Sequence, residues 1–233
     1  MYMKNDNIIN ISVSSLLVQC PRYIIWHSLN PVEAKSFDMD LGNAVHLTIK
    51  RHAENKLYKT NKEILSNTIS EIFPNWKKAG AYVQLYTATQ IMSQAALDFL
   101  HDNIKEASYE IPISFAVDKD ITINGIADVV SRNRVVDWKT SKWKDEKHKL
   151  QVSLYCYLLN KNNLIDIPCT GSVVYVADAI EQGYPVLVDF DVTKNTIKKV
   201  EEYVYSIVKD VKENGAVARR NECKFCPYKK LCY

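Results

Sequence analysis

Glycine and proline are scarce, at six and seven residues among 233. Flexible linkers draw heavily on such residues, so little room is left for a hinge, and one packed domain spanning residues 1–233 is expected. Long apolar runs are missing as well. No stretch approaches the roughly 18 consecutive apolar residues of a membrane span. The N-terminal MYMKNDNIINIS also has no basic segment followed by an apolar one, so the expectation is a cytoplasmic protein without membrane contact. Charge of one sign is lacking too: a net charge of +3 does not identify a nucleic-acid partner. Local clusters such as Arg219 with Arg220, or Lys224 with Lys229 and Lys230, suit phosphate contact and an ordinary solvated face alike. With no G-x4-G-K-[ST] loop, ATP-driven unwinding is not expected.

What is present is enough apolar sequence, 47%, to bury a full core. Ser12 and Ser14 can cap a helix over residues 12–29, with Cys20 inside it or at its end. Further amphipathic helices are predicted at 40–58, 62–73 and about 78–104, with Pro74 dividing the last two. The pattern then switches to alternating polarity at 108–117, 121–131 and 134–140, a β-meander with short polar turns. A helix at about 146–161, strands near 171–178 and 185–191, and a helix from about 193 to 214 complete the chain. This order predicts an α/β fold, a central mixed sheet flanked by helices.

Two residue sets carry chemistry. Cys20 stands near the start, while Cys223, Cys226 and Cys232 form C-x2-C-x5-C at the end. In a reducing setting four such thiolates suggest one metal centre joining both ends, and the residue types alone allow zinc or an iron–sulfur cluster. Cys156 and Cys169, in apolar surroundings, read as core residues.

The second set begins at Asp137 and Lys139. Strand alternation puts both on one face, with Val136 and Trp138 on the other. Acid-x-Lys occurs six times in the chain, but only here does it end an apolar strand, where an uncompensated charge is costly. A partly buried ion pair and a catalytic pair both satisfy that pattern. Asp128, on the preceding strand, brings a second carboxylate across the hairpin, and adjacent carboxylates repel unless a cation lies between them. Oxygen ligands of this kind suit Mg²⁺ or Mn²⁺. Four residues after Gly42, which permits close helix–sheet approach, His46 adds an imidazole that biases the site toward Mn²⁺. His27, His52, His101 and His148 read as surface or satisfied core histidines. Gln151 and Tyr155 share one helical face, either as a plain polar stripe or as groups that position Lys139 or a DNA backbone.

In order, G-x3-H at Gly42–His46, G-x2-D at Gly125–Asp128, D-x-K at Asp137–Lys139 and Q-x3-Y at Gln151–Tyr155 resemble the RecB-like branch of the PD-(D/E)XK nucleases. Cys20-Pro21-Arg22 together with C-x2-C-P-x4-C is similar to its iron–sulfur subgroup, above all the stand-alone CRISPR-associated Cas-four exonucleases, including viral copies. Asp137 stands where many relatives carry Glu. The resemblance implies a restriction-endonuclease-like core and a [4Fe–4S] cluster on Cys20, Cys223, Cys226 and Cys232 that clasps the two termini. It also implies Mn²⁺ or Mg²⁺ held by His46, Asp128, Asp137 and the Trp138 carbonyl, and catalysis by Asp128, Asp137 and Lys139 with Gln151 and Tyr155. The expected activity is metal-dependent DNA hydrolysis, chiefly exonucleolytic on single strands, with Tyr82, Tyr86 and Trp143 as candidate base-stacking or core aromatics. Two other readings are an assembly subunit that joins an integrase or helicase while having little activity of its own, and a zinc-stapled DNA-binding domain.

Overall fold

The computed structural model describes residues 8–32, 36–73, 79–215 and 226–231. Cys223 and Cys232, and the basic residues Arg219, Arg220 and Lys224, lie outside them. A mixed six-stranded sheet forms the centre of the described chain. Its strands are β1 (Ile9–Ser12), β2 (Ser108–Ala116), β3 (Ile121–Ser131), β4 (Arg134–Lys139), β5 (Cys169–Tyr175) and β6 (Val186–Val192). Strand β3 is the hub: β2 runs antiparallel along one edge of it. Its other edge is shared, with β1 parallel at residues 121–124 and β4 antiparallel at residues 129–131. From β4 the sheet continues to a parallel β5 and an antiparallel β6.

Helices cover both faces. On one lie α1 (Val13–Val18), α2 (Pro21–Leu29), α6 (Glu146–Lys161) and α8 (Lys194–Asn214), around a core that includes Ile11, Leu16, Val135, Leu158 and Val204. On the other lie α3 (Phe37–Glu54), α4 (Lys62–Ile72) and α5 (Ala79–Asn103), packed on Val129, Val136, Trp138 and Val174. A short α7 (Ala179–Gln182) follows one 3-10 turn after β5. In α8 the buried residues Val200, Val204, Ile207, Val208 and Val211 recur at helical spacing, so a single stripe fixes which way the helix faces.

The sequence expectations need correction at the N-terminus. Residues 12–29 are not one helix: Ser12 caps α1, accepting from the Ser15 amide, and the chain breaks at Gln19, whose φ is 57°. A new helix then starts with Pro21 at its first position, where a missing N–H costs nothing. The strand β1 was not foreseen, and residues 176–178 form a 3-10 turn rather than the end of a strand.

Beside Glu110 the sheet changes phase. Tyr109 pairs with Val129 and Ile111 with Ala127, so Glu110 stands opposite Asp128, yet the pairing skips that position. Residues two apart on a strand normally share a face. Here Tyr109 and Val129 pack on the α3–α5 layer, whereas Ile111 and Ala127 pack on the α1–α6–α8 layer. Glu110, with φ 50°, supplies the turn of the backbone. Both strands therefore hand over from one helical layer to the other at the point where two carboxylates face each other.

Candidate active site

The fork between β3 and β4 makes the site. The two strands pair only at residues 129–131 and 134–136, so Asp128 and Asp137 lie where the strands part. One Asp128 carboxylate oxygen accepts the Trp138 amide at 2.8 Å, bridging the opening. The other lies 3.2 Å from His46 Nδ1, brought in by α3. Gly42 permits that approach, since a side chain there would meet Thr140 Oγ1 at 3.3 Å. From β2, Glu110 reaches within 3.8 Å of the same imidazole nitrogen. Ligand atoms of His46, Glu110 and Asp128 all lie within 4.8 Å of one another.

Asp137 and Lys139 point to the α6 side, as alternation predicts. Asp137 is 2% exposed, and its Oδ2 lies 2.7 Å from Lys139 Nζ. The ammonium also donates to Gln151 Oε1 at 2.8 Å, while Gln151 Nε2 donates to Tyr155 Oη at 3.0 Å. The ammonium can only donate, and that fixes the amide: its oxygen is presented to lysine, which leaves its nitrogen for the phenol. Tyr155 in turn packs on Gly125, where a Cβ would meet Tyr155 Cε1 at 3.0 Å and Val13 Cγ2 at 2.9 Å.

Electrostatics follow from this crowding. Burial favours protonated Asp137, Asp128 adds to the effect and Lys139 opposes it, leaving its pKa pushed up to about 6. Burial disfavours protonated His46, but Asp128 and Glu110 outweigh it and raise its pKa to about 10. Burial, with help from Asp137, pushes the Tyr155 phenol well up, so it stays neutral. Two opposed carboxylates beside an imidazole, without a cation, hold a proton in its place. The donor set of one nitrogen and several carboxylate oxygens fits Mn²⁺ or Mg²⁺.

A cleft of about 380 Å³ opens beside the cluster, lined by Gly42, Asn43, His46, Lys50 and Glu110. A second, of about 560 Å³, runs from Tyr155 and Gly125 over Ile126, Pro112, Ser114 and Asn124.

The structure thus brings together His46, Asp128, Asp137, Trp138 (through its amide), Lys139, Gln151 and Tyr155. Glu110 was missed by sequence reasoning. Its signal was a lone acid in the strand segment Tyr109-Glu110-Ile111, legible only once its register opposite Asp128 is known. His52 is a satisfied core histidine, bonded to Thr48 O and the Asn61 amide. Cys156 and Cys169 are buried, their sulfurs 3.8 Å apart. Tyr82 and Tyr86 pack against the α3–α5 core, whereas Trp143 is exposed.

Of the four clasp cysteines, two are described. Cys20 is buried at the N-cap of α2, and Cys226 is half-buried on a C-terminal segment that lies against the same helix. There Arg22 donates to Leu231 O at 2.8 Å. Tyr228, 2% exposed, donates to Asn30 O, accepts the Val32 amide and lies 3.0 Å from His27 Nδ1.

A forked mixed sheet with Asp128 on one tine, Asp137-x-Lys139 on the other and an incoming histidine is an arrangement suited to divalent-metal binding and phosphodiester chemistry. The chain belongs to the PD-(D/E)XK nuclease superfamily, whose sequence model matches residues 9–233. Among solved structures, a candidate exonuclease from Eubacterium rectale superposes with a TM-score of 0.60 at 15% identity, covering 100% of this chain and 94% of that one. SSO0001 is similar at a TM-score of 0.48 and 19% identity, covering 99% and 88%. LHK-Exo, in complex with dAMP, gives 0.35 and 10%, covering 77% and 92%. The first likeness is one of fold, and the other two are too distant to carry an argument. No curated protein matches the chain significantly.

Proposed function

We propose that the protein is a Mn²⁺- or Mg²⁺-dependent deoxyribonuclease that acts chiefly from the ends of single-stranded DNA. The observation that carries this reading is the convergence of His46, Glu110 and Asp128 within 4.8 Å, next to a buried Asp137–Lys139 pair. In it, His46, Asp128, Asp137 and the Trp138 carbonyl hold the cation, with Glu110 beside them as a further oxygen ligand. When bound, such a cation supplies a Lewis acid that polarises a phosphate oxygen and acidifies water. Lys139 orients that water and offsets the charge that develops on the phosphate. Gln151 and Tyr155 keep the ammonium in place. Lys50, one turn beyond His46 on the open cleft, offers a cation to a neighbouring phosphate.

The same reading assigns Cys20, Cys223, Cys226 and Cys232 to a [4Fe–4S] cluster. Its support is the family pattern of those cysteines, together with the packing of the 226–231 segment on the helix that Cys20 begins.

The test is cleavage of end-labelled single- and double-stranded DNA by anaerobically purified protein with Mn²⁺, Mg²⁺ or EDTA, with a visible spectrum of the same sample. Metal-dependent cleavage that favours single strands, by brown protein, is expected. Asp137→Ala or Lys139→Ala should lower the rate by at least about a hundredfold without changing the spectrum. Full activity of either variant overturns the assignment of those residues.

A further inference from the structure

The loop between Lys139 and α6 points to a substrate contact. We propose that Trp143 is a stacking platform for an unpaired base of the DNA strand held at the metal centre. This rests on the nuclease reading above and adds a binding residue to it.

Trp143 is 76% exposed, the most exposed large apolar side chain among the described residues, while Trp138 on the same stretch of chain is 2% exposed. Its place is fixed by neighbours on both sides. Lys142 is ion-paired with Glu181, and Lys144 with Asp178 at 3.2 Å. Lys144 also lies over the Tyr175 ring, 5.6 Å from its centre. The Trp143 amide donates to Ser141 Oγ at 3.0 Å, and Asp145 caps α6 through the Lys147 amide. An indole set in water on a pinned backbone is pre-organised for a flat apolar ligand.

Distance and charge select the ligand. Trp143 stands four positions after Lys139, so its Cα lies within about 14 Å of the catalytic lysine's Cα. Of the five lysines in residues 139–149, Lys139, Lys142, Lys144 and Lys149 are ion-paired, which leaves Lys147, on the first turn of α6, as the cation available to a phosphate backbone. Aromatic side chains beside basic groups are how single strands are held without sequence preference. A paired base keeps both faces within its stack, so the strand at Trp143 is single or frayed.

The experiment compares wild type, Trp143→Ala and Trp143→Phe in three measurements. These are affinity for a fluorescently labelled oligothymidylate in EDTA, quenching of intrinsic tryptophan fluorescence by the same strand, and Mn²⁺-dependent hydrolysis of bis(p-nitrophenyl) phosphate, a diester without bases. Expected are about tenfold or greater loss of affinity in Trp143→Ala, loss of most of the quenching in both variants, recovery of affinity alone in Trp143→Phe, and unchanged hydrolysis of the small diester. Wild-type affinity in Trp143→Ala overturns the proposal. So does unchanged DNA binding accompanied by a change in oligomeric state on size exclusion, which would make the indole a protein contact. If wild type hydrolyses neither diester nor DNA but Trp143 still governs strand affinity, the nuclease reading fails and the stacking site stands.

Discussion

At the scale of single residues, the site is poised between proton and cation. The His46 pKa, about 10 against an ordinary 6.5, means that its stabilising proton is fully present below pH 6.5 and is lost as pH rises through 10. Asp137, about 6 against 3.8, likewise favours the folded state while protonated, and that contribution is lost between 3.8 and 6. In EDTA the unfolding temperature should therefore fall as pH is raised from about 6.5 toward 10. Cation binding competes with the same protons, so the gain in unfolding temperature on adding Mn²⁺ should grow over that range. Differential scanning fluorimetry checks this, and a gain independent of pH would contradict it. Glu110 makes a second case. A non-glycine residue at φ 50° carries local strain of about 1 kcal/mol or more. Glu110→Gly should relieve it, raising the urea midpoint of the metal-free protein, while weakening Mn²⁺ binding in calorimetry; a variant that binds Mn²⁺ like wild type would remove Glu110 from the site.

At the scale of elements, what was legible in the sequence tracks locality. The strands β2, β3 and β4 and the helices α3 and α6 stood out because alternation and helical periodicity are written within each segment, and His46, Asp128, Asp137 and Lys139 came with them. The strand β1 escaped because Ile9-Asn10-Ile11-Ser12 spans only four residues and its partner lies at Ile121–Asn124, far along the chain. The break between α1 and α2 had a local signal, Pro21, that the apolar periodicity overrode. Glu110 was illegible for a different reason: it depends on register and on an interrupted ladder, and neither is local. Gly125 links element packing to the site, since β3, α1 and α6 meet there. Gly125→Ala forces a methyl against Val13 and Tyr155 at 2.9–3.0 Å. The expected cost is about 1–3 kcal/mol, seen as a lower urea midpoint, with DNA cleavage falling as Tyr155 shifts away from Gln151. Unchanged stability and cleavage would show that α1 yields without strain.

At the scale of the whole molecule, the last described segment has protein contacts of its own with α2 and the residues that follow it. The Tyr228 hydroxyl is bonded three ways, to Asn30 O, the Val32 amide and His27, and its ring packs edge-on against Tyr23 and His27. Tyr228→Phe strands a backbone donor and an acceptor, at a cost of about 1–3 kcal/mol. The urea midpoint should drop and cleavage by trypsin near the C-terminus should quicken, even in protein stripped of metal. If trypsin resistance of stripped Tyr228→Phe matches that of stripped wild type, the phenol is not what holds the segment.

The hub position of β3 also bears on how the chain is made. On the ribosome, β1 emerges about 110 residues before the strand it pairs with, roughly 5–20 s ahead at ordinary synthesis rates. Every side chain assigned to hydrolysis is out by Tyr155, yet β5, β6 and α8, which close the core on the α6 side, are still to come. A nascent chain released early would carry all its catalytic residues without β5, β6 and α8 to complete the core beside them.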